Sequence, residues 1–534
     1  MLPLLSHLTN LEDAVSRFPS RAAFKIPNVN PQTDEIEDWT DITFHQFSLD
    51  IEHLARYWYH VLRETNEIPQ RSVIALSLVG YKYLDLVHVY AISRAGYIPQ
   101  LVNLFQGADY SVIQGPVGQA NTRALIYESI YSDTVRDIPI PSFTTVTLAC
   151  PTSHLLPELP NVADSDLAII FQTSGSTSGK SKIVPCSLGW LDGIVRKATR
   201  GSPNTEKPDV VCWRGSIGYI AQFATLIGSI YQASCMVQYK RGQPSTSEVV
   251  DMINRCKMNK VLMFPHFLAK HIRASRTDPE ILRALVSLDE IIFTGASFGS
   301  PEDEEWAWKN GMNIVNAYAT TECGGLVLIS EGLRKSRQNY LRRFPGCPLV
   351  KFVPISDDSD LLEVVVPPEA PECPDVSLRS SDGNFHTNDL FREVEPEQYV
   401  FSGRNDDWFN MENCSLCDTK AIEENARALC NEIISDCVVV GNGRPSPVLV
   451  VEASPTSTSG PVGTDLELKT EIFRRIHPFH TTRYLHERIA SPDMIFVVPL
   501  GTLPRTMSKG TVRRKIVEDM VKEKLDKLFP KHSI

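Results

Sequence analysis

Residues 173–182 hold four serines, two threonines, two glycines and two lysines in ten consecutive positions. Thr173, Ser174, Ser176 and Thr177 offer hydroxyl donors, Gly175 and Gly179 allow close backbone approach, and Lys180 and Lys182 bring positive charge. That is the chemistry of a loop that surrounds phosphate. The apolar run Leu167-Ala168-Ile169-Ile170-Phe171 precedes it and reads as a buried strand. A flexible Gly/Ser linker lacks both that strand and the paired lysines. The spacing also differs from a P-loop, whose second glycine lies five residues after the first; here Gly175 and Gly179 are four apart.

Four later segments carry further reactive groups. Tyr318, Thr320, Thr321 and Glu322 place an aromatic face, a hydroxyl pair and a carboxylate within five residues. Those groups suit a purine ring, a phosphate and a magnesium ion. Asp389 follows His386, Thr387 and Asn388. Arg404 stands beside Gly403 and just before Asp406 and Asp407. The stretch 503–515 is a basic loop holding Arg505, Lys509, Arg513, Arg514 and Lys515. Taken singly, an aspartate is commonly a helix cap and a lysine-rich tail a solvated face. Cys414 and Cys417 form the one close cysteine pair, without the second pair or matching histidines of a zinc site.

Positioning these groups requires alternating elements. Helical spacing runs over 44–63, 83–95, 247–256 and 279–287. Strand patterns fall at 72–77, 124–127, 167–171, 260–263 and 290–294. Such alternation predicts an α/β protein with mostly parallel sheets, whose nucleotide sites sit in loops beyond strand ends. The texture changes after about residue 345. A strand at 361–366 leads into a Pro-, Glu- and Ser-rich loop at 367–382. A helix at 422–429 and strands at 437–440 and 449–451 follow, with a polar excursion at 454–464.

At 534 residues the chain exceeds one compact core, and several domains are expected. Hydrophobic content of 42% and charged content of 22% are those of a soluble globular protein. A net charge of −11 argues against a nucleic-acid partner. No apolar run reaches the length of a membrane span. The N-terminus lacks the pattern of a signal peptide, and the 12 cysteines are scattered. A reduced, cytoplasmic setting is expected.

In this order, the five segments resemble the adenylate-forming superfamily of acyl-CoA synthetases, luciferases and non-ribosomal peptide synthetase adenylation domains. Residues 173–182 resemble its T-S-G-[ST]-T-G-x-P-K loop, Tyr318 to Glu322 its Y-G-x-T-E, and Thr387-Asn388-Asp389 its T-G-D. Gly403 to Asp407 resemble G-R-x-D-D, and 503–513 the closing P-K-T-x-x-G-K segment. The resemblance implies a large N-terminal domain of several subdomains, residues 1–402, holding ATP and acid. It also implies a small, mobile α+β C-terminal lid, residues 403–534, with a hinge near Asp406. Two half-reactions are implied. A carboxylate attacks the α-phosphate of ATP, releasing pyrophosphate, and a thiol then displaces AMP.

The resemblance also assigns roles. Thr173, Ser174, Ser176, Thr177 and Lys182 would hold the β- and γ-phosphates, with Lys180 the alternative lysine. Tyr318 would stack on adenine beside Gly295, Ala296 and Ser297. Thr321 would touch the α-phosphate and Glu322 would bind Mg2+. Asp389 and Arg404 would hold the ribose. Asp406 would be the hinge, with Asp407 second. Lys509 would bridge acid and phosphate, with Lys515 the alternative.

Several positions depart from the pattern. Ser178 is inserted before Gly179, Ser181 replaces a proline, Ala319 and Asn388 replace glycines, and Lys509-Gly510 reverses the usual order. These variations resemble the adenylation domains of fungal synthetase-like enzymes of the carboxylic acid reductase type. There the acyl group passes to a carrier phosphopantetheine thiol ahead of a reductase. A stand-alone aryl- or acyl-CoA ligase using free CoA, and a non-catalytic adenylate-binding scaffold, are the alternatives. Residues 212–226 hold no carboxylate to neutralise an α-ammonium, which disfavours an amino acid. Tyr219, Phe223, His266 and Phe298 read either as core or as an apolar acid pocket with polar anchors. Such a pocket suits an aryl acid first, then an aryl α-keto acid, then a medium acyl chain.

Overall fold

The computed structural model describes residues 5–102, 111–173, 182–199, 208–213, 215–241, 244–294, 298, 300–355, 359–405, 408–412, 416–454, 465–481, 483, 487–505 and 512–530. Within these, the chain up to 387 together with 391–401 forms one compact unit. Residues 388–390 and the chain from 402 onward form a second.

Two large sheets organise the first unit. One has six strands in the order Ser142–Thr144, Ala124–Tyr127, Val73–Ser77, Ile98–Leu101, Leu167–Thr173 and Lys182–Ser187. All neighbours are parallel except the last pair, which is an antiparallel hairpin. The other has nine strands. Its parallel middle comprises Ile314–Thr320, Glu290–Thr294, Lys260–Met263, Val210–Trp213, Cys235–Gln238 and Ala22–Val29. Antiparallel strands close both edges: Gly325–Ile329 with Arg342–Arg343 on one side, Ile36–Thr43 on the other. Continuous apolar runs such as Val73–Ser77, buried at every residue, are what a sheet covered on both faces demands.

The helices begin and end where local chemistry dictates. Ser245 caps Thr246–Cys256 by accepting from the Glu248 N–H, and Lys257 ends it in a left-handed conformation. Asp278 caps Pro279–Ser287, whose proline occupies the first turn, where no N–H is needed. Phe44, Phe47, Trp58, Tyr90, Phe171 and Phe223 are fully enclosed in the main core. Each phenylalanine among them contributes about 1.5–3 kcal/mol through burial. Trp58 Nε1 donates to His88 Nδ1 at 2.9 Å, and burial lowers the His88 pKa to about 4.

The second unit is built on the strands Ile434–Val440, Val448–Ala453 and Ile495–Val498, with helices Thr419–Cys430 and Asp465–Thr481. Its first strand pair is antiparallel and its second parallel.

The α/β reading holds, and the strands at 124–127, 260–263, 290–294 and 361–366 fall where expected. The hairpin Ala22–Val29 with Ile36–Thr43 was not anticipated, because its exposed, polar second strand has no apolar alternation. The helix expected over 44–63 is α-helical over Phe44–Tyr59 and continues as a π-helical turn, His60–Thr65. Cys414 and most of the polar excursion, residues 455–464, lie outside the described residues. Among the described residues no helix is long and apolar enough to cross a membrane.

Candidate active site

The phosphate-loop candidate connects the two strands of a hairpin at the edge of the six-stranded sheet. Thr173 ends Leu167–Thr173 and pairs with Lys182, the exposed first residue of Lys182–Ser187. Ser174, Ser176 and Thr177 lie outside the described residues, as do Gly295, Ala296 and Ser297. The latter three directly follow the strand Glu290–Thr294.

Tyr318 lies near the end of Ile314–Thr320, and Thr321 and Glu322 form the turn that follows. The Tyr318 ring stands edge-on to Phe391 at 5.0 Å and nearly parallel to Phe401 at 6.4 Å. The turn is held from behind. The Cys323 N–H donates to Thr320 Oγ1 at 3.1 Å, and the Gly324 N–H to the Thr321 carbonyl at 3.2 Å. Gly324 has φ +68, and a Cβ there would stand 2.1 Å from Ile194 Cδ1 and 3.0 Å from Trp190 Cζ2. Glycine is therefore required both by backbone conformation and by contact with the helix Leu188–Thr199. Lys197 of that helix is buried and donates from Nζ to the Cys323 carbonyl at 3.0 Å. Sequence reasoning missed Lys197 and Gly324; the available sign was a lysine on the same helical side as Trp190 and Ile194.

Glu322 is half-buried and has no hydrogen-bond or ion-pair partner among the described residues. A half-buried carboxylate with open acceptor capacity fits a divalent cation.

Asp389 and Arg404 are brought together. Asp389 is buried on Phe385–Glu395, Arg404 ends Gln398–Arg404, and Arg404 Nη1 donates to Asp389 Oδ1 at 3.1 Å. Asn388, where the resembling motif has glycine, has φ +57. Asparagine is among the few residues that occupy this left-handed region readily. Before it, Thr387 Oγ1 donates to the Val364 carbonyl at 2.8 Å. His386 bridges Glu363 at 2.8 Å and Asp382 at 3.1 Å, and these carboxylates raise its pKa.

Asp406, Asp407 and Lys509 lie outside the described residues. Arg505 and Val512, the described residues on either side of Lys509, form an antiparallel bridge. Arg505 pairs with Asp436 and, at 2.9 Å, with Glu452, and the Arg513 N–H donates to the Pro504 carbonyl at 2.7 Å. Lys515 is exposed on the helix Arg514–Met520.

The four residues expected to line an acid pocket are placed differently. Tyr219 caps Ile220–Tyr231 and is 45% exposed. Phe223, one turn on, is fully enclosed, with its ring 5.2 Å from that of Phe171. Phe298 is half-buried, 5.1 Å from Phe293. His266 lies in the helix Pro265–Ala274, and its side chain is outside the described set.

Fold and family matches together define an AMP-binding, adenylate-forming enzyme. The family model for AMP-binding enzymes matches residues 11–359, and that for the AMP-binding enzyme C-terminal domain matches residues 406–533. The chain belongs to the AMP-binding enzymes. It is 30% identical over 535 residues to the AMP-binding domain-containing enzyme iboA of Amanita muscaria, covering 94% of this chain and 99% of that protein. It shares its fold with o-succinylbenzoate CoA synthetase from Bacillus subtilis, solved with an acyl-adenylate. There the TM-score is 0.73 at 16% identity, over 96% of this chain and 98% of that one. Klebsiella oxytoca NpsA, solved with 3-hydroxyanthranilyl-AMSN, gives a TM-score of 0.65 at 16% identity, over 97% and 100% of the two chains.

Proposed function

We propose that this enzyme joins an aryl carboxylic acid to AMP, using ATP with Mg2+, and then passes the acyl group to the phosphopantetheine thiol of a carrier protein. One acid oxygen forms a bond to the α-phosphorus as the bond to the bridging oxygen of pyrophosphate breaks. The thiol sulfur, having lost its proton, then bonds to the acyl carbon and AMP leaves. Bound Mg2+ would neutralise phosphate charge as the pyrophosphate leaves.

The observation that carries this reading is the Thr321–Glu322 turn. It offers a hydroxyl and a carboxylate without a hydrogen-bond or ion-pair partner among the described residues, followed by Gly324, which packs closely on Ile194 and Trp190. Such preorganised donors are what an in-line displacement needs, since it requires positioning and charge stabilisation rather than a nucleophilic side chain. The other roles follow. Thr173, Ser174, Ser176, Thr177 and Lys182 hold the terminal phosphates. Tyr318 stacks on adenine beside Gly295, Ala296 and Ser297, and Asp389 with Arg404 holds the ribose. Lys509 bridges the acid and the α-phosphate. Residues 403–534 act as a lid on residues 1–402, hinged at Asp406.

The aryl acid is supported by the absence of any carboxylate in residues 212–226 and by the residue types of Tyr219, Phe298 and His266; Phe223 is fully enclosed in the core. A reductase acting on the carrier thioester would be the downstream partner. Pyrophosphate exchange across a panel of aryl, α-keto, acyl and amino acids tests the reading. Exchange confined to aryl acids supports it, and exchange driven by amino acids overturns the acid assignment. Acyl-CoA formation from free CoA, without carrier, would replace the carrier with a stand-alone ligase.

A further inference from the structure

The helix Phe44–Tyr59 does not stop at its last α-helical turn but continues as a π-helical turn, His60–Thr65. π-Turns are rare and occur frequently at functional positions. This one carries His60 and Glu64, with His60 Nδ1 2.6 Å from Glu64 Oε2. A third group arrives from a distant part of the chain. The ring of His154 lies on that of His60 with centroids 3.7 Å apart and planes 10° from parallel. One donor atom from each of His60, Glu64 and His154 lies within 4.8 Å of the other two.

The chain around His154 is fixed to the same helix. His53, seven residues before His60, contacts the Cys150 carbonyl through Nε2 at 2.9 Å and Thr152 Oγ1 through Nδ1 at 3.1 Å. The segment 150–154 is thus pinned at one end by His53 and laid against His60 at the other. Two imidazoles stacked face to face gain little from each other and repel when both are protonated. Two imidazoles and a carboxylate are the donor set that binds zinc when a water fills the fourth position.

From this geometry we infer that His60, Glu64 and His154 form a binding site for a divalent cation of the zinc type, which clips segment 150–154 to the end of the helix. Tetrahedral zinc with bonds of about 2.1 Å holds its donors roughly 3.4 Å apart. Because imidazole lone pairs lie in the ring plane, the stacked His60 and His154 rings must turn out of parallel to aim at one metal at that spacing. A ligating imidazole is neutral, so each ring keeps its one proton on the nitrogen turned away from the metal, while Glu64 binds as the carboxylate. None of the residues assigned to nucleotide or acid belongs to this cluster.

The test uses the full chain, stripped with a chelator and titrated with Co2+ and then with Zn2+. The expected result is one Co2+ per chain with a spectrum of nitrogen and oxygen ligation, displaced by Zn2+. His60→Ala and His154→Ala each weaken binding about tenfold or more, while acid-dependent pyrophosphate exchange persists. Zn2+ raises the melting temperature of the parent protein and not that of His154→Ala. A thiolate-type Co2+ spectrum would place the metal on cysteines and overturn the inference. So would binding unchanged by His154→Ala, or no stoichiometric binding at all.

Discussion

The buried Lys197 side chain donates to the carbonyl of Cys323 at 3.0 Å, and Cys323 directly follows Glu322. The residue that fixes the proposed catalytic turn therefore lies more than a hundred positions earlier in the chain. Burial raises the pKa of the Cys323 thiol strongly, so it remains protonated and serves as packing rather than as a nucleophile. Replacing Lys197 with Met leaves the carbonyl without its partner, at a cost of about 1–3 kcal/mol. The expected outcome is a lower melting temperature together with a weaker response of exchange to Mg2+, because Glu322 loses its fixed position. A loss of stability with the Mg2+ response intact would reduce Lys197 to a packing residue.

Gly324→Ala adds a methyl group that meets Ile194 Cδ1 at 2.1 Å on backbone with φ +68. Overpacking and left-handed strain combine to cost about 2 kcal/mol or more. Denaturant unfolding measures this. A neutral result would show that the helix Leu188–Thr199 yields and does not hold the turn.

Much of this architecture was legible in the sequence. Apolar strands bounded by polar turns, such as Lys260–Met263 and Glu290–Thr294, announce themselves by composition. The phosphate-loop candidate was visible because hydroxyls, glycines and lysines crowd ten positions behind such a strand. The backing of the site was not legible. The Lys197 contact spans 126 positions and Gly324 meets residues 130 and 134 positions away, Ile194 and Trp190. No local pattern encodes such partners. Phe223 shows the converse limit: an aromatic in a helix reads equally well as pocket wall or as core, and in this structure it is fully enclosed.

Asn388 illustrates how a departure from a motif can preserve its conformation. With φ +57 it stands where glycine is easiest and asparagine is tolerated. Asn388→Gly is expected to keep the Michaelis constant for ATP, whereas Asn388→Val costs about 1–2 kcal/mol and raises it by disturbing neighbouring Asp389. Parallel ATP titrations of the two variants distinguish this from a direct side-chain role, for which both substitutions would be equally damaging.

A pH signature follows from His386. Hydrogen bonds to Glu363 and Asp382 raise its pKa above the ordinary value, so the folded state favours the protonated ring. The stability it contributes is complete below the unfolded imidazole value of about 6.5 and is lost as pH rises through the raised folded value. Melting temperatures recorded between about pH 5.5 and 8.5 should fall less steeply for His386→Gln than for the parent protein. Identical slopes would show that the pairing adds nothing.

Lys509 and Lys515 can be separated directly. Lys509→Ala should reduce acyl-adenylate formation roughly a hundredfold or more with an unchanged melting temperature. Lys515→Ala, at an exposed position of Arg514–Met520, should leave the rate near that of the parent. The reverse pattern transfers the bridging role to Lys515.

In the proposed reaction the acid's own oxygen attacks the α-phosphate of ATP. This attack is tested by supplying the accepted acid labelled with oxygen-18 in its carboxylate, together with ATP, Mg2+ and a thiol acceptor. One labelled oxygen is expected in the AMP released and none in pyrophosphate. Label appearing in inorganic phosphate with ADP as the nucleotide product, or AMP formed without label, would contradict it.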